Sequence, residues 1–141
     1  MVFDEVSAAL EDYLERIYML QKEGEGVRVK DLAEDLGVKA PSVTEALTHL
    51  KTRGLVSQEK YQGVHLTEEG LKIAREVYDR HCMLTKFFHE VLGVEEKQAE
   101  EDACRTEHLL GRATVRKLHK LVKLLEDYKK HDPDFLNGLK G

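Results

Sequence analysis

Residues Lys30–Arg53 read KDLAEDLGVKAPSVTEALTHLKTR, and the punctuation of this stretch decides the fold. Lys30–Leu36 fits a short helix that stops at Gly37, a residue able to take the left-handed conformation of a helix C-cap. Pro41 falls where a first helical turn accepts proline, and Val43, Ala46, Leu47 and Leu50 give the following helix one apolar face. Gly54 ends it. Two short helices joined by a tight glycine turn make a helix-turn-helix pattern: Ala33 is the small residue at the crossing, Gly37 the turn and Val43 the packing residue. Such a turn also occurs in helical proteins that bind no DNA. The residues after Gly54 raise its weight. Leu55–Lys60 and Val64–Thr67 flank Tyr61-Gln62-Gly63, the pattern of a β-hairpin, and a hairpin in this place is the wing of a winged helix.

Outward from this core, Leu10, Tyr13, Leu14, Ile17 and Leu20 recur at helical spacing, so residues 7–22 form an amphipathic helix that Gly24 and Gly26 stop. Helical spacing returns after Thr67 at Leu71, Ala74, Tyr78, His81, Leu84 and Phe88, predicting one long helix that ends near Gly93. Further helices are expected over 95–110 and 113–128, the last with Val115, Leu118, Val122 and Leu125 on one stripe. Residues from His131 on read as a tail. The expected fold is mainly α: an N-terminal winged helix-turn-helix of three helices and a hairpin wing over residues 1–70, then a helical domain over 71–141.

Composition narrows the function. The chain has 141 residues and a net charge of −5, from 27 acidic and 22 basic residues. No apolar run approaches the roughly 18 residues of a membrane span, and the start is acidic rather than a basic leader, so no membrane partner is expected. Cys82 and Cys104 make no disulfide framework and suit a reducing cytoplasm. No glycine-rich phosphate loop or Ser/His/Asp arrangement is present. A carboxylate-bridged metalloenzyme would need Glu-x-x-His pairs on two helices, where this chain has only the adjacent Glu107-His108. An enzyme is not expected.

An acidic chain is a poor general ligand for nucleic acid. Its charge is uneven, however. Residues 27–62 hold six bases (Arg28, Lys30, Lys39, Lys51, Arg53, Lys60) against five acids, a local +1 that leaves −6 for the rest. The second helix of the motif presents Ser42, Thr44, Glu45 and His49 on its polar face; hydroxyls suit phosphates and base edges, and a carboxylate accepts from cytosine. With Lys39 and Pro41 at its start, and Lys60 and Tyr61 in the wing, these are the candidate contacts to double-stranded operator DNA.

A second constellation is more specific. Asp12 and Glu15 stand at i, i+3 on the first helix, and Cys104, Glu107 and His108 at i, i+3, i+4 on the fifth. His81 falls on the apolar stripe of the fourth. Singly, each has a plain reading: a solvated helix edge, a small buried thiol, a core imidazole. Together they are carboxylate, imidazole and thiolate, the donors of divalent transition metals.

The stretch Leu10-Glu11-Asp12-Tyr13-Leu14-Glu15-Arg16-Ile17-Tyr18, with Tyr78-Asp79-Arg80-His81 and Thr106-Glu107-His108, resembles the DtxR/MntR family of metal-dependent repressors, closest to its short manganese-sensing branch, over roughly residues 7–128. The resemblance implies a homodimer formed through the C-terminal helices. It implies ligation of a divalent metal by Asp12, Glu15, His81, Cys104, Glu107 and His108, between the DNA-binding and dimerisation parts, and operator contacts from the helix of Pro41, Ser42, Val43 and Thr44. Cys104 follows the iron branch, in which cysteine replaces the bridging glutamate of the manganese branch; Asp12 stands where the iron branch has methionine. Mn²⁺ or Fe²⁺ is the implied cofactor, and Co²⁺ or Zn²⁺ also suits a thiolate-containing set. The expected function is a metal-activated repressor of metal-ion homeostasis. The alternative is a winged-helix regulator set by an organic effector or a partner protein, whose DNA binding a chelator would leave unchanged.

Overall fold

A computed structural model describes residues 6–22, 24–59 and 62–140. In chain order they form α1 (Ala8–Leu20), α2 (Val29–Leu36), α3 (Ala40–Thr52), β1 (Val56–Glu59), β2 (Gly63–Leu66), α4 (Glu68–Lys86), α5 (Glu96–Thr106) and α6 (Arg112–Lys129). Two compact units meet at the Val77–Tyr78 bond, inside α4.

In the first unit each boundary has a local cause. Ser7 caps α1, its hydroxyl accepting from the Leu10 N–H at 3.2 Å. α2 stops at Gly37 with φ 65°, whose N–H turns back to the carbonyls of Ala33 and Glu34. A side chain there would meet its own backbone, so the turn of the motif rests on glycine. α3 starts with Pro41 in its first turn and buries Val43, Ala46, Leu47 and Leu50, the four positions of the expected stripe. Thr67 opens α4 by accepting from the Gly70 N–H at 3.1 Å, while its hydroxyl donates to the Gly54 carbonyl at 2.7 Å.

The wing is an antiparallel pair in the register Val56↔Leu66, Ser57↔His65, Gln58↔Val64 and Glu59↔Gly63. It has a neighbour that the glycines of 24–26 hid from the sequence reading. Val27 pairs with Val64 through two hydrogen bonds of 2.8 Å, so the segment before α2 lies along the wing as a short third strand. Leu14, Ile17, Val27, Leu32, Val43, Leu47, Leu50, Leu55, Val56, Val64 and Ala74 close into one core. Each fully buried Leu or Val there contributes about 1.5–3 kcal/mol. This core holds α3 with its opposite face outward.

The second unit packs Met83, Leu84, Ala103 and Val122 with Phe87, Phe88, Leu110, Val115 and Leu118. Three expectations need correction here. The long helix is α-helical only to Lys86; Phe87–Val91 is a π turn, with the Leu92 N–H reaching the Phe87 carbonyl at 3.1 Å. α5 ends at Thr106, not at residue 110, because the Thr106 hydroxyl bonds back to the Asp102 carbonyl at 2.8 Å and the chain turns away. The stripe of α6 is not left over for a partner: Val122 is buried, and Val115 and Leu118 pack with it inside the unit. The apolar residues that α6 does expose lie elsewhere on it, Leu121 at 42%, Leu124 at 66% and Tyr128 at 52%. The tail is ordered as well, with the Phe135 ring edge-on to Tyr128 at 4.8 Å and a 3-10 turn over Asn137–Leu139. Among the described residues no helix is long and apolar enough to cross a membrane.

Candidate metal centre

The centre is built in the second unit, where α4 brings in His81 and the end of α5 brings in Cys104 and Glu107. A ring nitrogen of His81, the sulfur of Cys104 and a carboxylate oxygen of Glu107 all lie within 4.8 Å of one another. Cys104 Sγ is 3.8 Å from His81 Nδ1, and Glu107 Oε2 is 2.6 Å from the same nitrogen. His108 approaches the other carboxylate oxygen, Nε2 to Oε1, at 3.2 Å. The Glu107 carboxylate, only 1% exposed, is therefore held between two imidazoles.

The sequence placed Cys104, Glu107 and His108 on one helix, and the structure keeps only part of that. Glu107 is the C-cap of α5 and still helical in backbone (φ −58°, ψ −30°), with its N–H on the Ala103 carbonyl at 2.9 Å. Cys104 and Glu107 thus hold their i, i+3 relation, while His108 lies in the turn beyond and reaches Glu107 from there.

Arg80 escaped the sequence reading. It is 8% exposed, and its Nη1 donates to the Glu107 main-chain carbonyl at 2.7 Å, one of the carbonyls that a helix end leaves without a partner. The signal was present: Val77, Arg80, His81 and Leu84 share the i, i+3, i+4, i+7 stripe of α4, and an arginine on a buried stripe needs an acceptor.

The donor set suits a divalent cation. Metal–ligand bonds of about 2.0–2.3 Å put donors on one ion roughly 3–4.5 Å apart, the range in which these three atoms already stand. Only the His81–Glu107 contact is shorter, so ligation requires that pair to give up its hydrogen bond. Nitrogen, sulfur and oxygen together favour iron, cobalt or zinc over a purely hard ion. Neither cysteine forms a disulfide, which leaves the Cys104 sulfur available as a thiolate donor.

In the first unit, Asp12 is half-buried and Glu15 buried, three residues apart on α1. Burial pushes the neighbouring Tyr13 phenol up from its ordinary value, so it stays neutral beside them. On the DNA-contacting side, Lys39, Pro41, Ser42, Thr44, Glu45 and His49 are all exposed, at or along α3. The Thr44 hydroxyl donates to the Ala40 carbonyl at 3.1 Å, leaving its oxygen lone pairs and methyl group for a ligand. Lys60 and Tyr61 lie outside the described residues.

Comparison with known proteins matches both halves of the chain. Residues 5–64 fit the family model of the iron dependent repressor N-terminal DNA binding domain, and residues 67–136 that of the iron dependent repressor metal binding and dimerisation domain. An uncharacterised HTH-type transcriptional regulator of Methanocaldococcus jannaschii is 37% identical over 123 residues, 86% of this chain and 98% of the relative. The HTH-type transcriptional regulator MntR of Bacillus velezensis is 37% identical over 119 residues, 84% of this chain and 83% of its own length. Among solved structures, the manganese regulator SloR superposes with a TM-score of 0.72 at 32% identity, over 81% of this chain and 53% of that one.

Proposed function

The chain belongs to the iron-dependent repressor family of metal-dependent transcriptional regulators, and from that premise we propose that it is a metal-activated repressor whose ligands are Asp12, Glu15, His81, Cys104, Glu107 and His108. The observation that carries the reading is the convergence of His81, Cys104 and Glu107 donors within 4.8 Å. Asp12 and Glu15 are assigned to the same centre by the family resemblance, as the contribution of the DNA-binding unit. The names of the relatives, MntR and a manganese regulator, support Mn²⁺ as one activating ion. Cys104 supports Fe²⁺, Co²⁺ or Zn²⁺ as others.

Asp12, Glu15, Glu107 and a Cys104 thiolate bring together about four negative charges, and a bound divalent ion supplies the compensating positive charge. Without that charge the acidic side chains repel one another. Ligation removes the repulsion and favours the arrangement in which α3 meets DNA, by as much as the ligands prefer that arrangement. Lys39, Pro41, Ser42, Thr44, Glu45 and His49 then contact the operator, with Lys60 and Tyr61 contributing from the wing. The working form is a homodimer through the C-terminal helices, in keeping with a dimerisation domain over 67–136. A reducing cytoplasm keeps Cys104 a thiol.

Gel shifts on operator-containing fragments test this directly. Chelated protein is expected to lose specific binding and to regain it with a divalent transition metal. Equal binding in chelator would overturn the proposal and favour a regulator set by an organic effector or partner.

A further inference from the structure

We propose that the second unit carries a self-sufficient metal site, His81–Cys104–Glu107, which takes up a thiolate-preferring divalent ion such as Co²⁺ or Zn²⁺ without Asp12 and Glu15. The inference rests on the metal-activated reading above and divides its labour: three donors capture the ion, and the two carboxylates of α1 convert capture into DNA binding.

Three observations carry it. First, all the donors come from one compact unit, two from α5 and its cap and one from α4. Second, they are held in place before any ion arrives. Glu107 is fixed by its N–H to Ala103 at 2.9 Å, by Arg80 on its carbonyl at 2.7 Å and by His108 on Oε1 at 3.2 Å. His81 in turn stands 2.6 Å from the Glu107 carboxylate. Little side-chain freedom is left to lose, which is the condition for tight binding by few donors. Third, the chemistry differs from that of the other two assigned residues. Imidazole and thiolate are the donors that hold zinc and cobalt, whereas Asp12 and Glu15 offer only hard oxygen. Three protein donors also form a sufficient set, with water completing the shell, as in zinc sites that keep one open position.

The experiment uses the full chain with Asp12→Asn and Glu15→Gln together, substitutions that keep size and remove charge. Co²⁺ is titrated into metal-free protein, and the sulfur-to-cobalt charge-transfer absorption is followed. One Co²⁺ per chain is expected, with the band retained and affinity changed by less than about tenfold, smaller than the 10–100-fold that loss of even a supporting residue costs. Cobalt-dependent operator binding is expected to be lost in the same variant. Cys104→Ser, with Asp12 and Glu15 intact, is expected to abolish the band. Failure of the Asn/Gln variant to bind Co²⁺, or binding without the band, overturns the inference when wild-type protein shows the band and circular dichroism shows the variant folded. If the Asn/Gln variant is unfolded, Asp12→Asn and Glu15→Gln are read singly, and loss of the band in either folded single variant overturns it equally. The activation reading fails separately, through wild-type operator binding that ignores the chelator.

Discussion

Glu107 has every polar group engaged: its N–H on Ala103, its carbonyl on Arg80, its carboxylate between His81 and His108. A buried carboxylate survives only when so satisfied, and the same contacts that stabilise it also aim it at a ligand position. Arg80 reaches the site through the main chain alone, which makes it a positioning residue. Arg80→Met keeps most of the buried length and removes the donor. It is expected to lower the stability of the protein by about 1–3 kcal/mol, since a buried carbonyl loses its partner. It is also expected to weaken cobalt binding by roughly 10–100-fold, in the manner of supporting residues around metal ligands. Denaturant unfolding and cobalt titration measure the two effects. A stability loss with unchanged cobalt affinity would mean that Glu107 is held by its imidazole contacts and owes nothing to Arg80.

Among the elements, α6 shows where periodicity informs and where it stops. Its stripe of Val115, Leu118, Val122 and Leu125 correctly marked a face that packs, but spacing cannot say whether the surface beneath belongs to the same unit or to a partner. The fold answers with Met83, Leu84 and Ala103. Val122→Ala is accordingly expected to cost about 1–3 kcal/mol in thermal or denaturant unfolding. Leu124→Ala, at a position 66% exposed, should stay within about 0.5 kcal/mol at concentrations where the chain is monomeric. A loss at Leu124 as large as that at Val122, in monomer, would reverse the assignment of faces. α2, α3 and the wing were legible because glycine, proline and a four-residue apolar stripe mark their limits. The end of α5 was not, because a threonine back-bond and an arginine from another helix stop it, and neither has a sequence period. Val27 was hidden for a similar reason: a strand of one paired residue has no alternation to read. The ligand types and their i, i+3 relations were legible in the chain, whereas the proximity of His81 to Cys104, 23 residues apart in sequence, needed the fold.

For the whole molecule the difficulty is an acidic protein on a polyanion. The net charge of −5 gives no general attraction to DNA, so binding has to come from a local surface. Residues 39–53 supply one: Lys39, Lys51 and Arg53 against Glu45 alone, on an element whose apolar side is buried in the core and whose remaining side is exposed. Lys39, at the N-cap of α3, adds its charge at the positive end of that helix dipole, where a phosphate is favoured. Because so few bases are involved, each should be visible in the salt dependence. Metal-loaded protein bound to its operator is expected to lose affinity linearly in log–log plots against salt, with a slope of about −0.9 per phosphate neutralised. Lys39→Ala should make that slope shallower by about one for each subunit on the DNA, and should weaken cognate and altered sequences alike. Glu45→Ala should do the opposite: it leaves the slope nearly unchanged, or slightly steeper, while altering which sequences are preferred. Fluorescence anisotropy at a series of salt concentrations measures both. A Lys39→Ala slope equal to that of wild type would remove Lys39 from the phosphate contacts, and the positive surface would then have to be sought at Lys51 and Arg53, at the other end of α3.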